Sequence, residues 1–173
     1  TPDFPEEGLK LEGFKSTFIK IGRGKGIGTY SRERFNHLTL ASVSEANLQI
    51  SKASYKEIQI FNIYRSSDKK VEDLIDHMLD LIEGDKATLI TGDFNICLDR
   101  EPNNLISGYL QQQGFEQMAK EATHDDGGRI DHLYLKKSPE MQADAELLQY
   151  SPYYSDHDAL CLTLKARVQV LTV

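Results

Sequence analysis

The 173-residue chain is 39% hydrophobic and 27% charged, the composition of one ordinary globular domain, which excludes a disordered or low-complexity polypeptide. No apolar run approaches the roughly 20 residues that span a bilayer, and no signal peptide is visible, so an intracellular (nuclear included) protein without a membrane partner is expected. The net charge of −7 counts against nucleic acid in bulk, but residues 10–34 hold Lys10, Lys15, Lys20, Arg23, Lys25, Arg32 and Arg34 against Glu12 and Glu33, a local +5 that leaves −12 elsewhere.

The chain opens on Thr1-Pro2 rather than methionine, as a piece of a longer protein would. Residues 15–21 (KSTFIKI) read as a strand, and 22–28 (GRGKGIG) as a flexible basic tip whose glycines match neither GxGxxG nor a P-loop. A second strand starts over 27–31. From 37 to 50 apolar and polar residues alternate, 51–54 (SKAS) is a turn candidate, and 58–64 (IQIFNIY) is a richer strand. The spacing of Val71, Leu74, Ile75, Met78, Leu79 and Ile82 predicts a helix over 68–83, with Ser66-Ser67-Asp68 as N-caps, Gly84 as its stop and His77 on its polar face. Residues 87–91 return as a strand, and Asn103-Asn104 opens a second helix that runs through Gln113 to Gly114. The segments 129–135 (RIDHLYL) and 158–164 (DALCLTL) are the last clear strands. Cys97 and Cys161 sit in apolar stretches without a CxxC, and read as buried thiols in a reducing setting rather than as metal ligands or a disulfide. Strands interleaved with two amphipathic helices predict a single α/β domain over residues 1–173, a sandwich of sheets with helices outside.

The anomaly is polar residues at the ends of apolar strands, because burying a carboxylate is costly unless it is paired, hydrogen-bonded or metal-bound. It occurs four times. Tyr64-Arg65 ends one strand, Asp93 and Asn95 end LITGDFN, Asp131 shares a face with Leu133 and Leu135, and Asp156-His157 precede the final strand. Taken singly, each has an ordinary account as a turn, cap or structural partner. Together they comprise carboxylates for a hard divalent cation, an amide, a histidine and a carboxylate to orient it. That set suits metal-assisted phosphodiester hydrolysis.

GDFN at 92–95, RIDH at 129–132 and SDH at 155–157, in that order after a strand ending in Tyr64, resemble the endonuclease/exonuclease/phosphatase superfamily, whose fold is DNase I-like. GKGIGTY at 24–30 and NIYR at 62–65 look most like the endonuclease domains of LINE-type retrotransposons and related mobile elements. The resemblance covers nearly the whole chain and implies a four-layered α/β sandwich. It also implies hydrolysis of phosphodiesters with Mg²⁺, or Mn²⁺ in its place, most directly by a DNA endonuclease of a mobile element. A phosphatase or phosphodiesterase of the same fold, and a degenerate DNA- or protein-binding module, are the alternatives. Carried over position by position, the resemblance makes Asp93 the group that orients or deprotonates the attacking water, with Asn95 holding that water or a phosphate oxygen. His157 would bind the scissile phosphate with Asp131 as its partner, and Asp156 would help ligate the metal. Tyr64 and Arg65 would touch phosphate oxygens, Thr123 and His124 fall where the family often has a phosphate-contacting hydroxyl, and Arg23 and Lys25 on the basic tip would grip the DNA backbone.

One part of the family pattern is not visible. Members begin with a strand carrying a metal-site asparagine and a second ending in the principal metal-binding glutamate. Here Glu6, Glu7 and Glu12 lie in a Pro/Gly-containing stretch with no apolar strand before it. The expectation is therefore a DNase I-like domain lacking its first strands, with weakened metal affinity, partnered by DNA and by a second chain that supplies those strands.

Overall fold

Alternating residues become strands where neighbouring strands take up their backbone groups, and the longest alternating stretches here lie side by side. The computed structural model describes residues 10–20, 26–35, 39–45, 47–139 and 141–168. Its elements are β1 (Phe14–Lys20), β2 (Gly26–Arg32), β3 (Thr39–Glu45), β4 (Leu48–Tyr55), β5 (Ile58–Arg65), α1 (Val71–Leu81), β6 (Ala87–Asp93), α2 (Leu105–Gln112), β7 (Glu116–Gln117), β8 (Asp131–Lys136), β9 (Met141–Tyr150) and β10 (Ala159–Val168). A six-stranded sheet runs β3-β4-β5-β6-β8-β7, while β1–β2 and β9–β10 form separate two-stranded hairpins. Every pair in the large sheet is antiparallel except β5–β6, which α1 connects as a crossover.

The two helices cover one face of this sheet. Leu48 and Ile50 of β4, Phe61 and Ile63 of β5, Ile90 of β6 and Tyr134 of β8 pack there against Leu74, Ile75 and Met78 of α1 and Ile106 and Leu110 of α2. The other face carries the alternate residues. It meets the β1–β2 hairpin, where Thr29 and Ser51 share a hydroxyl hydrogen bond of 3.0 Å.

Several expectations shift. Residues 51–54 are not a turn but the middle of β4, and the reversal comes at Lys56-Glu57, with Lys56 at φ 51°. The polar run suits a strand because Ser51 and Lys52 each have a task, although the buried Ser54 hydroxyl has no hydrogen-bond partner among the described residues. Ser51 meets the hairpin, and the buried Lys52 reaches round to Glu83 (2.5 Å) and to the carbonyl of Leu81 at the C-terminus of α1 (2.5 Å). α1 starts at Val71, later than expected, since Asp68 accepts from Asn47 Nδ2 at 2.7 Å rather than capping the helix. Asn104 does cap α2, accepting from the Ser107 amide at 3.0 Å. Cys161 is exposed on the outward face of β10 with Thr163 and Lys165, and Cys97 is partly exposed in the loop after β6. Arg23 and Lys25 lie outside the described residues. Among the described residues no helix is long and apolar enough to cross a membrane.

His132 of β8 sits wholly inside the helix-facing core. It stacks on Phe94 (4.5 Å between centroids), its Nε2 donates to the Ile96 carbonyl at 2.8 Å, and its Nδ1 accepts from the Tyr134 hydroxyl at 3.2 Å. Burial, with only partial compensation from the Ile96 bond, pulls its pKa down to about 4. The unfolded chain takes up this proton near the ordinary value of 6.5, and the folded chain does not until about 4. Between those values the unfolded state binds more protons, so acidification destabilises the fold, by up to about 3 kcal/mol from this residue. Urea unfolding at about pH 7 and about pH 4.5 should therefore show a stability loss that His132→Gln reduces. An equal loss in both proteins would remove His132 as its source.

Candidate active site

Strand registry builds the site. Parallel pairing sets Tyr64 of β5 opposite Asp93 of β6, and antiparallel pairing sets Asp93 opposite Asp131 of β8. Since residues at matched positions share a face, these three side chains form one row across the sheet on the side away from the helices. The row continues to Gln49 of β4, which pairs with Tyr64 and is fully buried, its amide nitrogen and oxygen without a hydrogen-bond partner among the described residues. Sequence reading missed Gln49. Its signal was a polar residue between Leu48 and Ile50 in the alternating stretch, on a face that the sheet buries.

Gly92 precedes Asp93 with its Cα facing the other way. A Cβ there would lie 1.9 Å from the Ile63 carbonyl oxygen, and φ is +137°. The glycine thus admits the backbone of β5.

Beyond Asp93 the chain turns sharply through Asn95, which occupies the left-handed region at φ 50° that asparagine tolerates. The turn folds back on Asp93. The Asn95 amide donates to Asp93 Oδ1 at 2.9 Å, and Asn95 Nδ2 donates to Asp93 Oδ2 at 3.2 Å and to the Arg65 carbonyl at 2.8 Å. Arg65 locks the turn from beneath. It is only 4% exposed, its Nε donates to the Phe94 carbonyl at 2.8 Å, one terminal nitrogen donates to the Asn95 carbonyl at 3.3 Å, and the other to that of Lys69. All three nitrogens hold backbone. Arg65 is therefore placed as a clamp under Asp93 and Asn95 rather than as a phosphate contact.

Thr123 has a similar part. It is fully buried, and its Oγ1 accepts from the amides of Ile130 (3.1 Å) and Asp131 (2.9 Å). Its carbonyl accepts from the Asp158 amide at 2.8 Å, which ties the start of β8 to the start of β10. Burial leaves its hydroxyl to the chain, so the expected phosphate contact becomes a structural link. Asp158, which the sequence reading used only as a strand end, holds Gln149 and Ser151 and so anchors the loop carrying Asp156 and His157.

That link delivers His157 to the row. His157 Nδ1 lies 2.8 Å from Asp131 Oδ2, which fixes the ring and leaves Nε2 outward. Burial opposes protonation of His157, but the bond to Asp131 and the nearby charges of Asp131, Asp93 and Asp156 outweigh it, and its pKa is raised. Burial likewise raises the pKa of Asp93 against the Asn95 bond, and repulsion from Asp131 adds to it. Asp156 projects beside His157 with a side chain 70% exposed, 3.7 Å from Nε2 of His124. His124 pairs its backbone with His157 in an isolated bridge, and its ring stands edge-on to His157 at 4.8 Å. The structure thus gathers Tyr64, Asp93, Asn95, Asp131, Asp156 and His157, with Arg65 and Thr123 underneath.

The donor set suits a hard divalent cation. Asp156 is an accessible carboxylate beside the row, and the repulsion from Asp131 that helps raise the Asp93 pKa is one that a nearby cation would relieve.

The layered arrangement of this sheet, its helices and its hairpins is the DNase I-like α/β fold, shared with solved structures at low sequence identity. The endonuclease domain of TRAS1, a telomere-specific non-LTR retrotransposon, matches with a TM-score of 0.62 and 16% identity, over 92% of this chain and 81% of that one. An endonuclease/exonuclease/phosphatase family protein from Bacteroides thetaiotaomicron matches at 0.57 and 14%, over 89% and 74%. One from Leptotrichia buccalis matches at 0.55 and 11%, over 91% and 74%. No family model and no curated protein matches the sequence.

Proposed function

We propose that this chain hydrolyses phosphodiester bonds with a bound divalent cation, acting on DNA as the endonuclease of a mobile element. The observation that supports this most is the Asp131–His157 pair, 2.8 Å apart, standing in one row with an Asp93 carboxylate that Asn95 holds by both oxygens. Asp93 accepts the proton of the attacking water, and Asn95 keeps its carboxylate aimed. His157, charged and steadied by Asp131, donates from Nε2 to a phosphate oxygen as negative charge builds there. The Tyr64 hydroxyl donates to a second phosphate oxygen. Asp156 would help hold Mg²⁺, or Mn²⁺, which when bound would supply charge neutralisation at the phosphate. The TRAS1 match favours DNA over other phosphodiesters. Partners on this reading are DNA and a polypeptide able to add strands to the two hairpins, which among the described residues pair with no further strand.

The pH dependence follows from the two raised pKa values. Asp93 must be ionised, so the rate rises with pH through a value above the ordinary 3.8. His157 must be protonated, so the rate falls with pH through a value above 6.5. Asp131→Asn removes the main group favouring the charged ring and should move the alkaline limb to lower pH. A nicking-rate profile whose alkaline limb is unmoved would count against the charged-histidine role. Substrate class is tested by comparing turnover of supercoiled DNA, single-stranded RNA and inositol phosphates. DNA should be cut fastest, and preferential turnover of inositol phosphates would replace the endonuclease with a phosphatase.

A further inference from the structure

His124 is not used by the hydrolytic scheme, yet it is built into the same corner. Nε2 of His124, a carboxylate oxygen of Asp156 and a ring nitrogen of His157 all lie within 4.8 Å of one another. Each imidazole has its other edge fixed by a carboxylate. His157 Nδ1 is 2.8 Å from Asp131 Oδ2, and His124 Nδ1 lies 3.0 Å from Asp126 Oδ1 and accepts from the Asp126 amide at 3.2 Å. Asp126 is itself anchored, accepting from the Gly128 amide at 2.8 Å. Two carboxylate–imidazole pairs therefore converge beside one exposed carboxylate, with His124 Nε2 turned toward Asp156. This is how histidine ligands of a metal are oriented, since the second carboxylate fixes the ring and strengthens its free nitrogen as a donor.

We propose that His124, Asp156 and His157 bind a borderline transition-metal dication of the Zn²⁺ type. Two imidazoles and one carboxylate favour such an ion over Mg²⁺, which takes oxygen ligands and parts reluctantly with water. Tetrahedral zinc at its usual bond lengths sets ligand atoms roughly 3.3 Å apart. The gap from His124 Nε2 to Asp156 Oδ2 is 3.7 Å, and the side chain of Asp156 is 70% exposed, with room to turn toward the ring. Three protein ligands leave a fourth position for water. Filling the site has a consequence that rests on the hydrolytic reading: the ion takes His157 Nε2 from the phosphate and competes with Mg²⁺ for Asp156. Zinc is then an inhibitor of the enzyme rather than its cofactor.

The binding and its consequence are read separately. Calorimetric titration of the whole chain with Zn²⁺ in excess Mg²⁺, paired with the visible absorption of bound Co²⁺, should show one ion per chain. His124→Ala and Asp156→Asn should each weaken binding at least about ten-fold, and Asp126→Asn by about ten-fold or more through ring orientation. His77→Ala, on the far surface beside Glu45, should leave it unchanged. No binding, or binding unaltered by both His124→Ala and Asp156→Asn, would overturn the site whatever the state of the hydrolytic reading. In the activity arm, the Zn²⁺ concentration that halves the rate should rise about ten-fold in His124→Ala relative to that variant's own rate without zinc. Zinc that binds at this site without inhibiting would sever its link to hydrolysis.

Discussion

His157→Ala should lower phosphodiester hydrolysis on the order of 10³-fold while leaving the fold intact. The imidazole is the one group in the row able to deliver a proton-bearing positive charge to the phosphate, and its orientation depends on Asp131. Its side chain is about a third exposed and its packing is slight, so urea unfolding of the variant should match the parent within about 1 kcal/mol. Asp131→Asn retains the shape but not the charge, and should cost on the order of 10²-fold. The two residues act as one unit. The double variant should therefore be no slower than His157→Ala alone. Multiplicative losses would mean that Asp131 has a separate task, such as holding the metal, and the pairing argument would need revision.

Gly92→Ala should have the largest effect on stability, at least about 4 kcal/mol, a large fraction of the roughly 5–15 kcal/mol that holds a domain folded. Any side chain here would meet the Ile63 carbonyl at 1.9 Å, and relief would require β5 and β6 to part where their parallel pairing sets Tyr64 beside Asp93. The positive φ of 137° adds strain that no rotamer relieves. Gly108→Ala is the matching control. It lies inside α2 with nothing within 4 Å of a new Cβ, so it should stabilise by about 0.5–1 kcal/mol. Equilibrium unfolding of both variants reads the contrast, and a Gly92→Ala protein as stable as the parent would show that the close approach is not a constraint.

Much of this was legible in the sequence because the informative residues sit at strand ends. Alternation placed Asp131 on one face with Leu133 and Leu135, and GDFN marked the end of β6. What escaped was decided by tertiary partners. Nothing local tells that Arg65 turns inward to hold three carbonyls, or that Thr123 is buried to tie β8 to β10. Lys52 looked like turn residue because its partner, the end of α1, is some thirty residues away. β9 has too few large apolar residues for its alternation to stand out, and it is a strand because β10 pairs along its whole length. His124 carried only a weak signal, a histidine among acids before two glycines, until pairing brought it against His157.

Incubating the purified chain with supercoiled plasmid, with Mg²⁺ and again after chelation, puts the whole scheme to the test. Nicked circles that form with the ion, vanish with the chelator and are absent with His157→Ala are the predicted result. An inert parent protein under saturating Mg²⁺ or Mn²⁺, or nicking that survives the loss of His157, would contradict a hydrolytic centre built on this row of side chains.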